Sequence, residues 1–120
     1  MISFFQRVLY AMQGWVRFFS KETNGQIQLV IAALVISAGF YFRVNAREWL
    51  VIMLCIAIVI GLEMLNSALE TLADKLHPGR DKHIRDAKDM AAGAVLLACV
   101  ISVICGLIIF IPYLASLAVQ

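Results

Sequence analysis

Four polar residues recur along an otherwise apolar stretch. Within GLEMLNSALETLAD, spanning Gly61 to Asp74, Glu63, Asn66, Glu70 and Asp74 are spaced three, four and four residues apart. That spacing puts all four on one face of a helix. At 1.5 Å rise per residue, Glu63 and Glu70 stand about 10 Å apart along the axis. Oxygen-only donors in such an array suit a hard divalent cation, and a carboxylate left free of the metal can move a proton. An ionised carboxylate in a span costs roughly 2.5–3.5 kcal/mol near the bilayer centre and less toward the edge. The stripe therefore needs partners or a function. It can be a metal and proton-transfer site, a polar seam that glues helices together, or a solvated helix end. The last suits Asp74 best and Glu63 worst.

Other charged residues fall at the same level. Glu22 sits just before the first apolar run, and Lys88 and Asp89 immediately precede the last. Each span thus delivers an acidic group to one layer. The chain has no P-loop signature and no glycine loop of the protein-kinase kind. His77 and His83 lie in a loop without cysteine neighbours, which excludes a zinc cluster and reads as solvated loop. Cys55, Cys99 and Cys105 all sit inside apolar runs, as small buried hydrophobes rather than a disulfide framework. Paired glutamates without soft ligands suit Mg²⁺ bridging nucleotide phosphates. Phosphoryl transfer needs little beyond charge neutralisation, an in-line nucleophile and a base.

The elements that must position these groups are all helical. Of 120 residues, 62% are hydrophobic, far above the roughly 45–50% of a soluble domain, and the mean hydropathy is +0.89. The apolar residues come in long runs, as in a membrane protein of one domain, residues 1–120. Residues 1–20 carry Phe4, Phe5, Val8, Leu9, Met12, Trp15, Val16 and Phe19 on one face, with Gln6, Arg7, Gln13 and Arg17 among those opposite. The pattern predicts an amphipathic surface helix lying in the membrane interface, and those polar interruptions leave no cleavable signal. Asn24 and Gly25 are expected to mark a break. The first span follows over 26–42, near the short limit for a ~30 Å core. Asn45 followed by Glu48 has the form of a capping box opening the second helix, 48–76, which Pro78 and Gly79 end. A charged stretch, Asp81 to Asp89, leads into the third helix, 87–117, interrupted late by Pro112. The expected fold is all-α: one surface helix and three transmembrane helices.

Orientation follows from the basic residues. Three crossings put the N-terminal segment and the loop between spans two and three on one side, with Arg7, Arg17, Lys21, Lys75, Arg80, Lys82, Arg85 and Lys88. The other side holds Arg43 and Arg47. Eight against two places the N-terminus in the cytoplasm, where a site built from these segments would meet nucleotide. A net charge of +2 makes no case for nucleic acid as a partner.

Glu63-Met-Leu-Asn66-Ser67-Ala68-Leu69-Glu70, then Asp74, then Lys88-Asp89-Met90-Ala91-Ala92-Gly93-Ala94-Val95-Leu96 resembles the prokaryotic diacylglycerol kinase family, which includes undecaprenol kinases. The resemblance covers essentially the whole chain. It implies an ATP- and Mg²⁺-dependent lipid kinase, assembled as a homotrimer with active sites shared between neighbouring protomers, whose acceptor is a membrane lipid alcohol. Carried over by motif, Glu63 resembles the general base, and Glu22 and Glu70 the ligands of the metal that accompanies ATP. Asn66, Lys88 and Asp89 resemble the groups that orient the phosphates. Asp74 belongs with this nucleotide side, as does Tyr10, with Gly14 as a glycine of close approach. Where many relatives read E-x-N-x-R-I-H, this chain has Glu22-Thr23-Asn24-Gly25-Gln26-Ile27-Gln28, so two basic positions have become Gln26 and Gln28. The E-x-N pattern and Glu48-Trp49 lean to the undecaprenol branch, while Asn66-Ser67-Ala68 is also seen in the diacylglycerol branch. The contrasting reading of the same residues is a non-enzymatic membrane protein that uses its acidic seam for helix assembly or ion transport.

Overall fold

Long apolar runs with local capping signals form helices because the backbone can then satisfy its own hydrogen bonds without water. The computed structural model describes all 120 residues and contains four helices: α1 (Phe4–Lys21), α2 (Thr23–Phe42), α3 (Ala46–Leu76) and α4 (Lys82–Val119). The last three have 20, 31 and 38 residues and are long and apolar enough to cross a membrane. At 1.5 Å per residue they measure about 30, 46 and 57 Å.

Only 11 residues are buried and the chain exposes 9260 Å², whereas a compact soluble monomer of 13.3 kDa would expose about 6,500 Å². Its radius of gyration is 17.9 Å, against about 14 Å for a globular chain of this length. Leu34, Leu50, Met53, Leu96, Leu97 and Ile108 all face outward. Apolar surface on that scale is stable only against lipid or further protein. This is a multi-pass membrane protein.

α2, α3 and α4 run alternately up and down. The α3–α4 hairpin is the most closely packed pair, tied at one end by the Tyr113 hydroxyl donating to Glu48 Oε1 and at the other by Lys88 on Asp74, 2.8 Å apart. The small core sits at the Arg43 end, where Val44, Ile52 and Ile109 pack with Val35, Phe42, Trp49 and Phe110. The α2–α3 turn closes with a left-handed Arg43 (φ 53°, ψ 53°). Val44 N–H donates to the Gly39 carbonyl and Arg43 N–H to that of Phe40, which is the Schellman arrangement. Gly39 lets the Trp49 indole lie against α2, since a Cβ there would meet the ring at 2.6 Å. The Asn45–Glu48 capping box is present, with both reciprocal bonds at 2.9 and 3.0 Å.

Three boundaries differ from the sequence expectation. Asn24 and Gly25 do not break the chain; α2 begins at Thr23, and one extended residue, Glu22 (φ −92°, ψ 128°), joins α1 to α2. Gly25 serves tertiary packing instead. A Cβ on it would lie 2.2 Å from the Phe18 carbonyl oxygen, so the α1–α2 corner closes only over a bare Cα. Second, the charged segment after Asp81 is not a lead-in to residue 87. It is helical from Lys82, because the Asp81 side chain caps the Ile84 N–H at 3.1 Å. Third, Pro112 does not interrupt α4, which continues to Val119. Proline removes one backbone donor, a loss that membrane helices tolerate where neighbours hold the helix, and Tyr113, the next residue, is bonded to α3.

Gly25→Ala is expected to pry open the α1–α2 corner and to destabilise the protein by about 1–3 kcal/mol, the usual scale of overpacking. Thermal unfolding in mild detergent checks this; an unchanged midpoint would mean that the corner yields freely.

Candidate functional site

The stripe of α3 is split by its neighbours. Ile52, Val59, Glu63, Asn66 and Ala73 are its buried residues, spaced seven, four, three and seven apart along one face. Glu63 and Asn66 are each only 9% exposed. Glu63 Oε1 accepts from the side-chain amide Nε2 of Gln28 on α2, at 3.4 Å. No cation pairs with it. Asn66 Oδ1 is buried with no hydrogen-bond partner, a state that costs about 1–3 kcal/mol unless a donor arrives from elsewhere. Glu70 and Asp74 emerge into the open.

The Gln28–Glu63 contact also fixes the level of the other acids. α2 and α3 are antiparallel, so going back six residues to Glu22 and forward seven to Glu70 moves the same way along the bundle, by about 9 and 10 Å. Glu22 and Glu70 therefore occupy one layer. Glu22 is half-buried at the α1–α2 corner and its side chain caps neither helix. Neither acid is in an ion pair, and no three acidic, histidine or cysteine side chains converge in the protomer. Asp89 is exposed beside Lys88, two turns into α4. Tyr10 is exposed, 56%, on α1, a helix packed chiefly on α2. Gly14 faces open space.

Two cavities flank this layer. Toward the Arg43 end, a cleft of about 340 Å³ runs between α2, α3 and α4; 14 of its 17 lining residues are hydrophobic, with Gln28 among the three that are not. In the opposite direction, a crevice of about 570 Å³ lies around the α3–α4 loop, lined by Asp74, His77, Arg80, Lys82, Arg85 and Lys88 among others. Glu63 bonds the Gln28 side chain that lines the cleft, and the basic, anion-suited crevice begins about 16 Å further along α3, at Asp74. The sequence reading did not single out Arg80, Lys82 and Arg85 as site residues, although their clustering beside Lys88 was visible. It also treated Gln26 and Gln28 only as lost basic residues. Gln26 instead caps the end of α1, donating to the Ser20 carbonyl at 3.0 Å, and Gln28 holds Glu63.

The model of the family described as prokaryotic diacylglycerol kinase matches residues 9–110, every site residue named above included. The chain belongs to the prokaryotic diacylglycerol kinase family. It is thereby a lipid kinase by kinship. It is 39% identical to an undecaprenol kinase of Bacillus subtilis, over 92% of this chain and 90% of that protein. It is 38% identical to a diacylglycerol kinase of Synechocystis, over 92% of this chain and 63% of that longer protein. A diacylglycerol kinase of Haemophilus influenzae is 29% identical, over 84% and 86%. The family resemblance carried by the Glu63–Glu70 and Lys88–Leu96 motifs is thus correct.

The Asp74–Lys88 pair is short, yet the Asp74 side chain is 68% exposed. Ion pairs of that kind contribute less than about 1 kcal/mol. Asp74→Asn is accordingly expected to shift thermal unfolding by only a few degrees. A collapse of the fold would show that the pair clamps the hairpin.

Proposed function

We propose that this protein transfers the γ-phosphoryl group of Mg·ATP to the hydroxyl of a membrane lipid, diacylglycerol or undecaprenol, at the cytoplasmic interface. The observation that carries the proposal is Glu63: a buried carboxylate, held by a neutral amide alone at the Gln28 end of an apolar cleft, with a basic crevice further along the same helix. Hydrocarbon fits the cleft and phosphate fits the crevice, with Glu63 on the stretch of α3 that runs from one to the other. In the reaction, Glu63 takes the hydroxyl proton as the lipid oxygen bonds to phosphorus and the bond from phosphorus to the bridging oxygen of ADP breaks. Lys88 faces the phosphates. Asn66, Asp74, Asp89 and, on α1, Tyr10 complete the nucleotide side.

Glu22 and Glu70 are assigned to the metal. The donors fit: both are carboxylates, both lie in one layer, and neither is engaged in an ion pair. Magnesium is commonly held by one or two carboxylates with phosphates and waters supplying the rest, in keeping with the absence of a closed acidic cluster in the protomer. When bound, the ion neutralises phosphate charge.

We further assign α1 to the membrane surface, its exposed Phe4, Phe5, Trp15 and Val16 in the lipid and Arg7 and Arg17 toward the cytoplasm. The protein is proposed to assemble as a homotrimer in a bacterial inner membrane. The unpaired Asn66 oxygen and the exposed Glu70, free of any ion pair, both support a site completed by a neighbouring copy. Native mass spectrometry in mild detergent is expected to give a trimer, and monomer alone at every concentration would contradict the shared site.

Phosphate transfer from ATP to lipid is expected in mixed micelles offered undecaprenol and diacylglycerol separately; transfer to neither would sink the kinase reading. Glu63→Gln should fold, assemble and bind Mg·ATP, yet lose roughly 10²–10⁴-fold in turnover, the scale of general-base catalysis. A polar seam would give the reverse, with altered stability and turnover kept. Glu22→Gln and Glu70→Gln should instead lose Mg·ATP binding, because an amide is a poor magnesium ligand. Unchanged nucleotide affinity in either would overturn the assignment.

A further inference from the structure

Gln28 contacts Glu63 across 35 residues of sequence and stands at the polar end of the apolar cleft. We infer that Gln28 is the positioning residue for the catalytic carboxylate: its amide N–H fixes the Glu63 oxygen that is not offered to the lipid hydroxyl. The inference rests on the proposed role of Glu63 as base.

The groups facing Glu63 leave no other candidate. From α3, Asn66 lies one turn on, but its amide N–H₂ makes no hydrogen bond to Glu63. From α4, Cys99 lines the same cleft, and a thiol is a weak donor. From α2, Gln28 supplies the only hydrogen bond that Glu63 receives from another side chain. Without it the carboxylate would be free to rotate about its last torsion, which is soft for glutamate, and its negative form would be bare of donors in a nearly water-free setting. The bond is long at 3.4 Å, as catalytic hydrogen bonds often are before substrate closes the site. A neutral donor suits the task better than a basic one. A salt bridge from lysine or arginine would hold the same oxygen but would stabilise the carboxylate so far that it became a poor proton acceptor.

The test is a double-mutant cycle on turnover. Gln28→Met keeps length and an apolar fit to the cleft while deleting the donor. Gln28→Glu keeps the shape and replaces the donor with an acceptor, and Gln28→His restores an N–H of similar reach. Each is measured for assembly, KM for Mg·ATP and kcat, alone and combined with Glu63→Gln. The expected result is a loss in kcat of roughly ten- to a hundred-fold for Met, the scale of a hydrogen bond to a charged group. Gln28→Glu should lose at least as much, His should retain activity to within a few-fold, and KM for Mg·ATP should be unchanged. In the Glu63→Gln background the Met substitution should cost no more than about twofold, because the group it positions is gone. A structural role would give the same fold-loss in both backgrounds. That result, or full turnover in assembled Gln28→Met, overturns the inference. If Gln28→Met fails to assemble, the contrast of His with Glu carries the test, and equal turnover in those two overturns it. Near-wild-type turnover in Glu63→Gln alone would instead remove the base reading itself, so the two failures are told apart.

Discussion

An ionisable carboxylate buried on an apolar helix constrains everything around it. Glu63 lies on the face of α3 that also buries Val59 and Ile52, so it cannot be solvated by turning outward. In water-poor surroundings an unsatisfied carboxylate is far more costly than any single packing contact. The bundle answers with a neutral amide rather than a cation. That choice requires α2 and α3 to keep one register, which the Schellman turn at Arg43, the Gly39–Trp49 contact and the core at Val44, Ile52 and Ile109 enforce at the far end. The order seen at one end of the protein is thus the support for the buried carboxylate toward the other.

The same register explains why the acids form a layer. Antiparallel helices carry equal rise per residue, so fixing Gln28 against Glu63 also fixes Glu22 against Glu70. α3 and α4 run past α2 and are joined beyond it by Lys88 and Asp74. Their extra turns bring Arg80, Lys82 and Arg85 around a crevice outside the apolar zone. The basic crevice and the apolar cleft are therefore separated by helix length alone, with Glu63 level with the Gln28 end of the cleft.

Features set by local chemistry were legible in the sequence. Asn45 and Glu48 form the capping box that their three-residue spacing implies, and Pro78–Gly79 end α3 where expected. Features that depend on a distant contact were not. Gly25 reads as a helix end because glycine favours such positions, but the Phe18 carbonyl pressed against it comes from another helix. The charged run after Asp81 reads as a loop because charge usually means solvent. Asp81 nevertheless caps it, and lysine and arginine are good helix formers. Pro112 reads as a break, yet α4 continues past it. Glu63 and Glu70 were identified by periodicity, and their graded burial by depth along the apolar run, whereas the amide that meets Glu63 was not. Periodicity gives the face of one helix; only the lengths of the neighbours say how far that face is covered.

Coverage is what remains incomplete in a single chain. Asn66 Oδ1 is sealed from water without a donor, and buried acceptors in stable proteins almost always have one. Glu70, one turn further, has neither cover nor cation. A monomer in lipid would have to bear both costs, along with an acidic layer whose charges repel one another. Closing copies around α3 would relieve the first by supplying donors and the second by excluding lipid from the stripe. Bound nucleotide with its metal would neutralise the acids that remain. Assembly and substrate binding, as proposed, would act on the same electrostatic debt, so a site left open by either one should be unstable as well as inactive.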